Sequence, residues 1–127
     1  MLSKIKIMNL YDLEIYKLAR EVSKESWSIY EQLNWQDKKI IGYQFISAVD
    51  SIGANIAEGF GRFHFLDKNK FSYNARGSLF ESIHWIDLLL ERNKISLEEG
   101  EKIKEKLNKL GVKINNYISS TRNQKLP

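Results

Sequence analysis

The only proline of this 127-residue chain is its last residue, Pro127, so nothing in the interior carries the ring that removes a backbone donor and breaks a helix. Helix is therefore open along the whole length, and the apolar spacing uses that freedom. Over 11–32, Ile15, Leu18, Val22, Ile29 and Leu33, with small Ser26 in the gap, recur at helical steps and predict one stripe on one face. A second segment opens at Asn34, a good N-cap, with Asp37 three residues on to return the hydrogen bond. It repeats apolar groups at Ile41, Phe45, Ala48, Ile52 and Ile56, and should stop where Gly59 and Gly61 supply left-handed backbone. A third run starts near Asp67, aligns Phe71, Ala75, Leu79, Ser82, Ile86 and Leu89, and ends at Arg92 and Asn93. In the fourth, Ser96 and Glu99 form a capping box ahead of Ile103, Leu107, Leu110, Ile114 and Tyr117.

The links between these runs are short, which favours antiparallel neighbours. The expected fold is all-α: an antiparallel up-down-up-down four-helix bundle over 11–120, with an N-terminal arm, 1–10, and a C-terminal tail, 121–127. The only period-two alternation lies within 4–8, so no sheet is expected. The length suits one domain. Cysteine is absent and histidine is limited to His64 and His84, which removes thiolate chemistry and leaves little for proton transfer near neutral pH. No apolar run approaches the roughly 20 residues of a membrane span, and 1–10 lacks the apolar core of a signal peptide. A cytoplasmic location is expected. The net charge of +4 conceals a gradient: residues 101–127 hold seven basic and two acidic side chains, while 11–100 sum to −3. Such asymmetry hints at a polyanionic partner.

The run Ala54-Asn55-Ile56-Ala57-Glu58-Gly59-Phe60-Gly61-Arg62, with Gln44 upstream and Ala75-Arg76-Gly77-Ser78-Leu79-Phe80-Glu81 downstream, resembles the bacterial four-helix-bundle family of 23S rRNA-intervening-sequence proteins, some of which carry a ribosomal-protein label. The opening Asp12-Leu13-Glu14-Ile15-Tyr16-Lys17-Leu18-Ala19 is similar to that family's first helix. The resemblance spans about residues 11–120. It implies a left-handed antiparallel bundle that assembles as a ring-like homopentamer. A more distant similarity, to the accessory variability proteins of diversity-generating retroelements, implies a basic pentamer that binds nucleic acid. Ile46 and Ser47 depart from the family's pattern, in which a basic pair often follows the position of Gln44.

Lys102, Lys106, Lys109 and Lys113 line one face of the fourth helix, a ridge along which a phosphate backbone can lie. Neutralising about four phosphates would give a log–log salt slope of roughly −3 to −4 on duplex DNA. The plainer reading is a solvated face whose aliphatic stems shield the core edge. Arg62 with Phe63, His64 and Phe65 offers a stacking platform at one end of the bundle, against the plainer expectation that the phenylalanines pack inward. Glu81 and His84 stand at the spacing used by di-iron bundles, but such sites need a second pair, so a surface histidine and no metal are expected. Asn55, Glu58, Arg76 and Glu81 suggest a hydrogen-bonded network pinning the central helices. Gly53, Ala54, Ala57, Ala75, Gly77 and Ser78 make those helices slim enough for close approach. The glycines of 59–62 follow a helix rather than a strand and lack a Gly-Lys-Ser/Thr ending, so no nucleotide loop is expected.

Tyr16, Arg20, Ser23, Trp27 and Tyr30 form a second stripe on the first helix, and Tyr73, Phe80 and Ile83 do likewise on the third. Large aromatics outside the core seam point to self-association. No nucleophile–base pairing is visible. The expected role is non-enzymatic and free of cofactor, membrane or small-molecule substrate. It is an oligomeric bundle that binds the RNA or DNA backbone through its basic surface, or, in the alternative, a protein-interaction scaffold that touches no nucleic acid.

Overall fold

The computed structural model describes residues 9–123. They form four long helices and no strand: α1 (Glu14–Gln32), α2 (Tyr43–Phe60), α3 (Phe65–Glu91) and α4 (Leu97–Asn123). Most of the expected arm, including the 4–8 alternation, and the tail beyond Asn123 lie outside the described residues. A 3₁₀ turn, Leu10–Asp12, capped by Asn9, leads into α1. The chain enters α2 through a turn at Trp35–Asp37 and a π-helical turn at Lys38–Gly42. No described helix is long and apolar enough to cross a membrane.

The caps act largely as their residue types dictate. Asn34 Oδ1 accepts the Asp37 N–H at 2.8 Å, while the Asp37 carboxylate pairs with Lys94 at 3.2 Å and ties the α3–α4 turn to the start of α2. Ser96 Oγ accepts the Glu99 N–H at 3.1 Å, and Glu99 Oε1 accepts the Ser96 N–H at 3.5 Å, closing the capping box of α4. The end of α2 corrects the expectation for its glycines. Gly61 sits at φ −78°, ψ −5°, and among the described residues only Asn93, at the end of α3, takes a positive φ, 56°. Gly59 instead permits close approach: a Cβ there would lie 3.0 Å from Phe71 Cβ and 3.3 Å from the Lys68 carbonyl oxygen of α3.

Cross-helix contacts fix the topology. Ser23–Asp50 joins α1 to α2, Gly59 meets Phe71 across α2 and α3, and Arg76–Asn115 with Asp87–Lys104 joins α3 to α4. Glu14–Lys113 and Glu25–Lys106 close the ring between α1 and α4. Ser23–Asp50 joins the middles of α1 and α2, where Tyr16 lies beside Ala57 and Tyr30 beside Tyr43. The other pairs match an early residue of one helix with a later one of its neighbour, so every neighbour is antiparallel and the bundle runs up-down-up-down. The interior is Phe45, Ile52, Ile86, Leu89, Leu107, Leu110 and Ile114, with thin layers at Ala19, Ser26, Ala48, Ala75 and Ser82. Each large side chain buried there contributes about 1.5–3 kcal/mol. All five apolar positions read from the second segment are buried, whereas Phe71, on the third, and Tyr117, on the fourth, sit half-buried at the edge.

Candidate interaction surfaces

The lysine ridge is real as geometry, but acids facing it from α1 occupy most of its charge. Lys113 Nζ donates to Glu14 at 2.5 Å, Lys106 to Glu25 at 2.5 Å and to Glu21 at 3.2 Å, and Lys102 lies 3.8 Å from Glu25. Glu14, Glu21 and Glu25 fall on one face of α1 at spacings of seven and four, and antiparallel packing sets them against lysines at matching steps. The lysine hydrogen bond and its charge hold the Glu14 carboxyl below its ordinary range. The Glu25 carboxylate raises the Lys106 ammonium. The ridge is thus first an ion-pair ladder closing the α1–α4 seam, with Lys102 and Lys109 left on its exposed side.

The aromatic stripe of α1 faces the other way, toward α2, and with it forms a groove. Along one stretch of about 470 Å³ lie Trp27 and Tyr30 from α1, and Tyr43, Ile46, Ser47, Asp50, Ser51 and Ala54 from α2. Tyr16, Arg20 and Ser23 continue it over a floor of Ala19, Gly53, Ala54 and Ala57. Trp27 and Tyr30 stack at 5.1 Å with 25° between their planes, Lys38 Nζ lies 5.3 Å from the Tyr30 ring, and Arg20 donates to Tyr16 Oη at 2.8 Å. Ser23 Oγ donates to Asp50 at 2.6 Å in the middle of the groove. Trp27 is 48% and Tyr43 63% exposed, while Tyr16 and Tyr30 are half-buried. The π turn helps to shape this wall. The Tyr43 N–H reaches back five residues to the Lys38 carbonyl, and Gly42 lets Tyr30 and Leu33 close against the backbone, where a Cβ would stand 2.9–3.2 Å from their atoms.

A third feature lies on the far side. Tyr73 is 44% and Phe80 63% exposed on α3, while Ile83 packs on the edge of the core. Gly77 between them corrects the reading of a slim helix–helix contact, because a Cβ there would meet nothing within 4 Å.

The expected network of Asn55, Glu58, Arg76 and Glu81 does not form. Asn55 donates to the Ser51 carbonyl of its own helix at 2.8 Å, and Glu58 pairs with Arg62 one turn on at 2.8 Å. Arg76 donates to Asn115 of α4 at 3.0 Å and lies over the Tyr73 ring, and Glu81 accepts the Trp85 indole N–H at 3.1 Å. Each finds its partner within its own helix, in the turn that follows it or on α4, and none reaches across the α2–α3 seam to another of the four. Arg62 is held by Glu58 and sits 4.9 Å from the Phe71 ring. Phe63, expected to pack inward, is 91% exposed, since the short connection leaves its ring beyond the helix ends. His84 is exposed and packs edge-on against Trp85, and no group of three or more metal-ligating side chains gathers among the described residues.

These features define a class: an antiparallel four-helix bundle with an apolar core, an ion-paired seam and an outer aromatic groove. The chain belongs to the family of 23S rRNA-intervening sequence proteins, whose family model matches residues 11–116. It is similar in fold to a solved protein of unknown function from the S23 ribosomal protein family of Bacteroides thetaiotaomicron VPI-5482. The two are 23% identical with a TM-score of 0.78, over 82% of this chain and 97% of that one. No curated protein matches the chain.

Proposed function

We propose that this chain is a non-catalytic cytoplasmic module that works by self-association, its α1/α2 groove seating a second copy; a closed ring of five is the form the family resemblance implies. The observation that carries this reading is the groove itself. Trp27 and Tyr43 stand exposed on its walls, beside buried Ile46 and over a floor of small residues, a combination typical of protein contacts. The test is mass in solution by sedimentation or light scattering. Wild type should exceed the monomer at micromolar concentration, and a Trp27→Ala/Tyr43→Ala double variant should fall to monomer with its helicity retained. A monomeric wild type refutes the reading.

A second reading, contact with an RNA or DNA backbone, is supported by Lys102 and Lys109, which the glutamate ladder leaves facing solvent in a chain of net charge +4. Reversing both to glutamate should lower affinity for single-stranded RNA uniformly across sequences and make the log–log salt slope about 1.4 less negative. Binding indifferent to that change removes the reading and leaves a scaffold that touches no nucleic acid.

A further inference from the structure

The two ends of the bundle differ in charge. Level with the Ser23–Asp50 and Glu21–Lys106 contacts, the described chain divides into one half holding residues 9–22, 51–81 and 107–123, and another holding 23–50 and 82–106. The first carries nine Lys and Arg against six Asp and Glu, the second eight against ten. A polyanion is therefore drawn to the end where α2 passes into α3. There Phe63 stands 91% exposed, and the ring contact it makes, with His64, is edge-on at 5.2 Å, which leaves its faces open. Arg62, His64, Lys68 and Lys70 surround it in sequence, and Arg62 and Lys70 share the Phe71 ring at 4.9 and 5.9 Å. Glu58 takes Arg62, but Lys68 donates to the neutral Phe60 carbonyl at 3.2 Å, and the partner of Lys70 is a ring. Among the described residues no carboxylate pairs with either ammonium, so both charges stay available to an anion.

We infer that this end of the bundle binds an unpaired stretch of RNA or DNA, with a base stacked on Phe63 and the adjoining phosphates on Lys68 and Lys70. The inference rests on the nucleic-acid reading above and names single strand as the class of partner. An open ring face beside free ammonium groups is the pairing that single strands use, because every base has a face to stack and every nucleotide a phosphate. A duplex keeps its base faces inside the stack and can reach the cations alone. A lipid surface fits less well. Phe63 and Leu66 offer less apolar surface than one acyl chain, itself a marginal anchor, and Asp67 stands beside them.

The test is a titration of wild type and variants with a short single-stranded RNA, the duplex of the same sequence, and vesicles of anionic phospholipid. Phe63→Ala should weaken single-strand binding by about 5- to 150-fold and duplex binding far less. Its urea midpoint should match wild type, since the ring covers no core. Lys70→Glu should make the log–log salt slope on the single strand roughly 0.7 less negative. Phe63→Trp should bind at least as tightly as wild type, and its added emission should be quenched by the stacked base. Phe63→Ala that binds single strand like wild type, an equal loss on duplex, or Phe63→Trp that binds without quenching overturns the assignment. So does a Phe63-dependent attachment to vesicles with RNA binding unchanged. If Lys102→Glu/Lys109→Glu lowers affinity while Phe63→Ala does not, the lysine ridge stands and this site falls. A wild type that binds no nucleic acid at low salt removes both.

Discussion

Gly59 and Gly77 both interrupt helices, yet the same substitution should act on them with opposite sign. At Gly59 an added methyl group meets Phe71 Cβ at 3.0 Å and the Lys68 carbonyl at 3.3 Å, neither of which is the far end of a flexible side chain. Gly59→Ala should therefore destabilise the fold by about 1–3 kcal/mol. At Gly77 the methyl enters open space, and Gly77→Ala should stabilise the monomer by about 0.5–1 kcal/mol through helix propensity alone. Urea midpoints of the two variants at low protein concentration check both. The sequence shows a glycine but not which of its two properties the fold uses. Gly59 reads equally as a helix stop and as a close contact, and only the position of Phe71 decides. Phe63 was illegible for a related reason: its type favours burial, while the length of a connection fixes whether the ring can reach the interior.

Between elements, the α1–α4 ladder has a defined response to pH. Glu14 is held below its ordinary value of 4.5 by the Lys113 hydrogen bond and charge, so it favours the folded state above its unfolded pKa and ceases to as pH falls through the lower folded value. Lys106 and Lys104 are raised above 10.5 by hydrogen bonds to Glu25 and Asp87; their contribution is full below 10.5 and disappears as pH climbs through the raised values. Stability from these pairs should thus be flat at neutral pH and decline at both extremes. Comparing urea midpoints of wild type and Glu14→Gln across pH isolates the acid limb, and the difference should shrink at about 1 M salt. The helices themselves were legible because apolar residues recur near 3.6, and the Asn34 and Ser96 caps because short polar side chains complete the first turn. The role of the lysines was not. Lys102, Lys106, Lys109 and Lys113 look like a free face until Glu14, Glu21 and Glu25 are placed opposite them, and that needs the antiparallel register, which no single segment contains.

At the scale of the whole molecule, one core runs unbroken from Leu13 to Ile118, with every helix contributing to it. Unfolding should accordingly be a single transition. Far-UV dichroism should report the helices and tryptophan fluorescence should report half-buried Trp85, and the two midpoints should coincide. Two separated midpoints would show that one pair of helices can leave while the other persists.

The widened turn at Lys38–Gly42 spends five residues where an ordinary helical turn closes with four, so one residue is surplus to the pitch. Excising solvent-facing Ile40 should let the turn revert to normal winding, with Trp35 and Asp37 upstream and Phe45 downstream keeping their bearings. The same excision among residues 44–59 would swing all that precedes it by about 100° and empty the interior. The bundle holds slack at its mouth, a place where chain length can change while aim does not.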